Sequence, residues 1–102
     1  MKLKSNVKIS VRADGELVPL TLRQPTTKEL NEFLASRYDV RGGLTDNSIN
    51  ARCEFFDLLL TGVEDLEDDR GPITVDRKDQ IPSNWKNQII FQLFETVEVE
   101  KN

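Results

Sequence analysis

Residues 6–16, Asn-Val-Lys-Ile-Ser-Val-Arg-Ala-Asp-Gly-Glu, carry the clearest structural signal in the chain. Val and Ile alternate with Lys, Ser and Arg, and a period of two with β-branched residues predicts a strand over 6–13 that has one buried face. The Asp-Gly pair that follows is the strongest short signal for a hairpin, so residues 17–22 are expected to return as a second strand. Because Pro19 has no N–H to donate, this second strand is predicted to be an edge strand or to be bulged at Pro19.

A first helix is predicted near residues 26–38, directly after the hairpin. Thr26 can cap its first turn, and Glu29 three residues later completes a capping box. The glycines at 42 and 43 are suited to the left-handed backbone that follows a helix, so they are expected to end it.

Two further helices are predicted, one near 47–61 and one near 83–97. Asp46 or Asn47 is the expected cap of the second helix, Gly62 its end, and Ser83 the cap of the third. An acidic loop lies between these helices, and residues 73–75 are expected to form a short strand.

The predicted fold class is therefore α+β, in which an N-terminal antiparallel hairpin is followed by three main helices in the order β-β-α-α-loop-α. With 102 residues, the chain is expected to form one domain over 1–102, whose last residues, 97–102, fray.

Composition and charge narrow the classes of protein that the chain can belong to. The net charge is −4, which disfavours a dedicated nucleic-acid binder, although four cations precede the first acid, Asp14. The single cysteine excludes an internal disulfide. No signal-peptide segment and no stretch of about 20 apolar residues occurs, so a cytoplasmic location is expected.

The residues offer little for catalysis, so the protein is expected to be non-enzymatic and to use no cofactor or metal. Histidine is absent, which removes the commonest general base near neutral pH. In the acidic loop, Asp65, Glu67 and Asp69 have the spacing of a calcium loop, but Arg70 stands where that loop needs glycine, and Asp76 stands where it needs glutamate. A solvated loop is the favoured interpretation.

Two isolated side chains have a structural and a functional interpretation. Cys53 falls on the apolar side of the second helix, where a buried thiol is favoured over a nucleophile because nothing basic is placed to lower its pKa. Trp85 is expected to pack on the core of its own domain, with an interface anchor as the alternative.

The second and third helices have unusually broad apolar faces. At 100° per residue their apolar side chains spread over roughly 220° and roughly 240°. Such helices must be covered on more than one side, either within the domain or by a partner. The predicted contact residues, for another protein or for self-association, are Phe55, Leu58, Phe91 and Phe94.

Three stretches together resemble the tail assembly chaperones of long-tailed bacteriophages and prophages. They are LTLRQPT at 20–26, running into Glu29-Leu30; FFDLLL at 55–60; and IPSNWK at 81–86, leading to IIFQLFE at 89–95. The resemblance implies a chaperone in the bacterial host cytoplasm that binds the tape measure protein, keeps it soluble and helps recruit the tail tube protein. It also implies that the chaperone is absent from the finished particle. Many members of this family are made as a longer frameshifted product as well.

Two alternatives remain open at this point. The basic hairpin and the paired apolar helices also fit a structural subunit of a phage-like particle, such as a tail completion or connector protein. The acidic loop leaves open a small metal- or ligand-binding domain.

Overall fold

The structure is a computed structural model that describes residues 5–40 and 43–96. Its strands are β1 Asn6–Ala13, β2 Glu16–Arg23, β3 Tyr38–Asp39, β4 Thr45–Asp46, β5 Leu60–Val63, β6 Glu67–Asp68 and β7 Gly71–Pro72. Its α-helices are α1 Thr27–Ser36, α2 Ser48–Leu59 and α3 Ser83–Ile90. A 3₁₀ helix covers Val75–Gln80, and a π-helical turn, Phe91–Glu95, follows α3 directly. The predicted α+β class, with an N-terminal hairpin and three main helices, is confirmed.

The N-terminal hairpin forms as the alternation predicts. β1 and β2 pair antiparallel without a register shift, and the pair closest to the turn is Ala13 with Glu16. Asp14 has φ 51° and Gly15 has φ 81°, so both turn residues are left-handed, as a two-residue type I′ turn requires. Glycine adopts that conformation without strain, which is why Asp-Gly makes this turn.

β2 is the central strand of a three-stranded sheet with the order β1-β2-β5, so the prediction of an edge strand at Pro19 is wrong. The β2–β5 ladder begins at the pair Leu20–Val63, one residue beyond Pro19. Pro19 still contributes its carbonyl, which accepts from the backbone N–H of Glu64 at 3.0 Å. Its missing N–H falls where the ladder stops, so a central strand tolerates the proline.

β5 takes the place of the predicted end of the second helix. α2 ends at Leu59, two residues before the predicted end, and the chain passes straight into β5. Leu60 pairs with Leu22 and Gly62 with Thr21, so Thr61 is the extra residue of a bulge. Gly62 therefore lies in a strand and does not close a helix.

α1 begins as predicted, because Thr26 and Glu29 form both bonds of a capping box. It ends at Ser36, before the predicted residue 38, and Tyr38 pairs with Asp46 in the small β3–β4 hairpin. Of the two glycines expected to follow the helix, residue 42 lies outside the described residues, and Gly43 has a left-handed φ of 123°.

The expected caps of the later helices are found at α2 but not at α3. At α2 the Asp46 carboxylate accepts from the backbone N–H of Ser48 at 2.8 Å, whereas Asn47 makes no side-chain cap bond. Ser83 is the first residue of α3, so it is not the cap; Pro82 precedes the helix and no side chain caps it. α3 ends at Ile90, short of the predicted 97, which lies outside the described residues.

The acidic loop forms a second small hairpin, β6–β7. The predicted strand at 73–75 is wrong. Ile73 is buried and bonds to the Leu66 carbonyl through its N–H at 2.8 Å, and Val75 opens the 3₁₀ helix.

The core lies between one face of the sheet and the helices. The alternating residues of β2 that point inward meet α1, α2 and α3 there. The largest fully buried side chains are Leu20, Leu22, Phe56, Leu59 and Ile90.

Candidate protein-binding surface

α3 and the turn after it run back along α2 in the opposite direction. The pair Asp57–Lys86 joins the end of α2 to α3, and the pair Arg52–Glu95 joins the middle of α2 to the following turn. Lys86 is 5% exposed, and its Nζ lies 2.8 Å from Asp57 Oδ1 as an ion pair that is not aligned as a hydrogen bond. These pairs fix the position of the two helices relative to each other.

An open groove of about 540 Å³, the α2–α3 groove, runs between these helices. Its exposed apolar side chains are Ile49, which is 64% exposed, and Phe91, which is 44% exposed. The remaining lining is uncharged apart from Arg52, and consists of Ser83, Asn84, Asn87 and Gln88. The groove therefore combines two exposed apolar side chains with polar groups that can form hydrogen bonds.

Arg52 and Arg37 hold one wall of the groove through a shared carboxylate, Glu95, whose side chain is 3% exposed. Arg52 donates to both Glu95 oxygens, at 2.7 and 3.2 Å, and Arg37 donates to Oε1 at 2.9 Å. The Arg52 guanidinium also lies 5.3 Å from the centre of the Phe91 ring. We call Glu95, Arg52 and Arg37 the Glu95 clamp. It ties the turn that carries Phe91 to α2 and to the end of α1.

The clamp is charged at neutral pH. Burial acts to raise the pKa of Glu95, but the hydrogen bonds from Arg52 and Arg37 outweigh it and hold that pKa below its ordinary value. The hydrogen bond to Glu95 raises the pKa of Arg52. The Glu95 carboxylate is therefore ionised and paired at neutral pH, which suits a structural clamp better than proton transfer.

A second groove, the α1–α2 groove, lies on the other side of α2 and encloses about 360 Å³. Leu58, which is 52% exposed, stands on it, and Phe33 and Phe55 line its apolar part. Its charged lining is acidic and comes from Glu29, Glu32 and Glu54.

The predicted contact residues do not form one patch. Leu58 and Phe91 are exposed, but they stand on different grooves. Phe55 is 5% exposed and stacks on Phe33 with 4.4 Å between ring centres, so it belongs to the core and its assignment to the surface is corrected. Phe94 is half-buried and meets Phe55 edge-on at 5.3 Å, which gives it a core contact as well.

Sequence reasoning missed Ile49 as a surface residue. It lies one turn before Cys53 on α2, and it lines the groove together with residues of α3. It stays exposed because it lies in the first turn of α2, opposite the π-helical turn, where the two elements leave the groove open. An isoleucine at that position gives no signal of exposure, because apolar residues at helical spacing indicate a buried face.

Cys53 and Trp85 are both half-buried. The Cys53 sulfur lies 3.5 Å from Asn87 Nδ2, between α2 and α3, so the thiol is less enclosed than expected. Trp85 packs against the core, as the favoured interpretation had it.

Within residues 5–40 and 43–96, no group of three or more His, Cys, Asp or Glu side chains is placed to hold a metal ion. Asp68 of the acidic loop is instead engaged by Arg77 and by the backbone N–H of Arg70. In the same part of the chain, every helix is too short or too polar to cross a bilayer.

Comparison with known proteins gives no relative: no family model matches the chain, and neither a curated protein nor a solved structure is significantly similar to it.

Proposed function

We propose that this protein is a non-enzymatic binding module that holds an apolar helical segment of another protein in the α2–α3 groove. The observation that carries the proposal is the pair of exposed apolar side chains, Ile49 and Phe91, that line an open groove between two helices. An amphipathic helix binds such a groove through apolar side chains spaced three, four and seven residues apart.

The polar lining supports a protein segment as the ligand. Asn84 and Gln88 on α3 are exposed and carry both donors and acceptors, which suit the polar margin of a bound helix. A protein interface has this composition, with apolar anchors inside a polar rim.

The electrostatics support binding over catalysis. Among the described residues that line the groove, Arg52 is the ionisable one, and both Glu95 oxygens already accept from it. An acid or base catalyst must exchange a proton near working pH, and a guanidinium paired in this way does not.

The resemblance to tail assembly chaperones gives the proposal its client. The tape measure protein is the expected partner, because apolar helical stretches are the kind of segment that a groove between two helices binds. The tail tube protein is the second expected partner, and the location that goes with these roles is the cytoplasm of a bacterial host. A very long helical reading frame directly downstream of the gene would support this client independently.

A labelled synthetic amphipathic helix of about 20 residues, which is about 30 Å long, is a suitable probe. Fluorescence anisotropy measures its affinity for the native protein and for the variants Ile49→Glu and Phe91→Glu. A charge on either anchor should weaken binding about tenfold or more, which corresponds to about 1.4 kcal/mol.

Leu17→Glu and Leu58→Glu are the matched controls. Leu17 is 53% exposed, a fraction between those of Phe91 and Ile49, but it lies on the hairpin and does not line the groove. Its replacement should therefore leave the affinity unchanged. Leu58→Glu reports on the α1–α2 groove and should also have little effect. If all four variants fold and bind the probe with native affinity, the α2–α3 groove is not the binding site.

A further inference from the structure

β1 forms an open edge of the main sheet. Its inner edge pairs with β2 over all eight of its residues, and in the described part of the chain no strand pairs with its outer edge. A strand of this length presents a regular row of N–H and C=O groups to any extended chain.

The groups on the open edge can be identified from the hairpin. Ala13 and Glu16 flank a two-residue turn, and the N–H of Gln24 donates to the Ser5 carbonyl at the other end of the ladder, at 2.9 Å. Because hydrogen-bonded and non-bonded pairs alternate, the odd-numbered residues of β1 bond to β2. The outward-facing backbone groups therefore belong to the even-numbered residues, which are Asn6, Lys8, Ser10 and Arg12.

The apolar face of β1 is also incompletely covered. Its inward side chains, Val7, Ile9 and Val11, are half-buried. The residues opposite them on β2 are at most 4% exposed. The helices therefore cover the middle of the sheet and leave apolar surface beside the open edge.

We propose that a second copy of this chain pairs with this edge, β1 against β1 in antiparallel orientation, about a twofold axis at Ile9. The proposal does not depend on the function proposed above. The two sheets would join into one sheet of six strands, and the half-buried rows of both copies would become neighbours. A twofold contact uses the same surface on both copies, so it closes at two.

Geometry leaves two long registers for such a pair. In an antiparallel pair, two directly opposite residues point to the same face of the sheet. The twofold axis must therefore pass through a residue, either Ile9 or Ser10, and not between two residues. Both registers pair seven of the eight β1 residues and use the outward-facing backbone groups.

Charge selects between these two registers. An axis at Ser10 places Lys8 directly opposite Arg12 of the other copy, twice by symmetry, and like charges in opposite positions are destabilising. An axis at Ile9 places Lys8 opposite Ser10 and Arg12 opposite Asn6, so that each cation faces a neutral side chain. Charge therefore favours the register centred on Ile9.

Ser10 provides a test that leaves the monomer largely unchanged, because its side chain is exposed. In the proposed register Ser10→Glu faces Lys8 of the other copy and should tighten the dimer, whereas Ser10→Lys should weaken it. Two cross-strand charge pairs per dimer change the dissociation constant about two- to thirtyfold in each direction. Sedimentation equilibrium over a concentration series measures the constant, and circular dichroism checks the fold of each variant.

Crosslinking tests the axis directly, in a Cys53→Ser background. Ile9 faces its own copy in a non-bonded pair with Cα atoms about 4.5 Å apart, so Ile9→Cys should form an intermolecular disulfide on mild oxidation. Val11 faces Val7, so Val11→Cys alone should remain reduced, and a mixture of Val11→Cys with Val7→Cys should crosslink.

Several results would overturn the proposal. The first is that the native protein and the Ser10→Glu variant both stay monomeric at the highest soluble concentration. Another is weakening by Glu and Lys alike at Ser10, which indicates an axis at Ser10. A closed ring of many copies would also contradict a twofold dimer and would instead support a structural subunit.

Discussion

Replacing Glu95 by glutamine is the sharpest test of what positions the α2–α3 groove. The Glu95 carboxylate is 3% exposed and accepts three hydrogen bonds from Arg37 and Arg52. Glutamine keeps the size of the side chain and one acceptor oxygen, but it removes the negative charge and turns the other group into a donor that faces two cations.

The expected cost follows from the exposure of the three partners. Removing one member of a fully buried ion pair costs about 3–5 kcal/mol, because the other charge stays buried without compensation. Here the side chains of Arg37 and Arg52 are 27% and 20% exposed, so both recover part of their hydration. We therefore expect a loss of about 2 kcal/mol in the free energy of unfolding, which lowers the melting temperature by about 10 °C in a domain of this size.

Urea unfolding followed by Trp85 fluorescence measures the change, and Glu54→Gln, an exposed glutamate on α2, is the matched control. The pKa of Glu95 is below its ordinary 4.5, so the clamp stabilises the protein above that pH and is lost as the pH falls through the folded-state value. The difference between the native protein and Glu95→Gln should therefore shrink on acidification. A variant as stable as Glu54→Gln at neutral pH would refute the clamp.

Further predictions concern the other two ion pairs. Asp57→Asn should cost about 2–4 kcal/mol in urea unfolding because it strands the buried Lys86 ammonium, whereas Lys86→Met should cost less; equal costs would contradict this account. The guanidinium of Arg23 and then the N–H of Thr26 lower the pKa of Glu29 to about 2, so Arg23→Met should return that pKa toward 4.5 in an NMR titration. Because that pKa is lowered, the stability that the Glu29 interactions contribute is present above pH 4.5 and is lost as the pH falls toward about 2. Thr26→Ala should cost about 1 kcal/mol at neutral pH, and no loss would argue against the capping box.

The elements that were predicted correctly have local causes. The first hairpin follows from alternation over 6–13 and from a turn that needs two left-handed residues. Both features depend only on residues that are neighbours in the chain. The start of α1 follows from Thr26 and Glu29, three residues apart, which bond to each other's backbone.

The elements that were missed depend on distant partners. Leu60–Val63 continues the apolar run of α2, and its strand conformation comes from pairing with β2, about forty residues earlier in the chain. The early end of α1 similarly depends on pairing between Tyr38 and Asp46. Tertiary pairing overrides local pattern at such places, and a single sequence does not reveal the partner.

The sequence indicated that apolar side chains would remain exposed on the helices, but it did not identify all of them correctly. Broad apolar arcs on the second and third helices correctly indicated that some apolar side chains would remain exposed, and Leu58 and Phe91 do. An arc does not say which end of a helix its neighbours reach. Phe55 is buried because α1 covers it, and Ile49 is exposed because it lies in the open first turn.

The two proposed contacts use different layers of the molecule, and this separation has a consequence for binding. The β1 edge belongs to the sheet, whereas the α2–α3 groove lies in the helical layer, and the residues that form them do not overlap. Sites without shared residues act nearly independently, so a dimer would carry two grooves of unchanged intrinsic affinity. A long client with repeated apolar helical segments could then occupy both grooves, and the second contact would form at a high effective concentration. Weak single contacts would in this way hold an extended chain firmly while each segment could still be released separately.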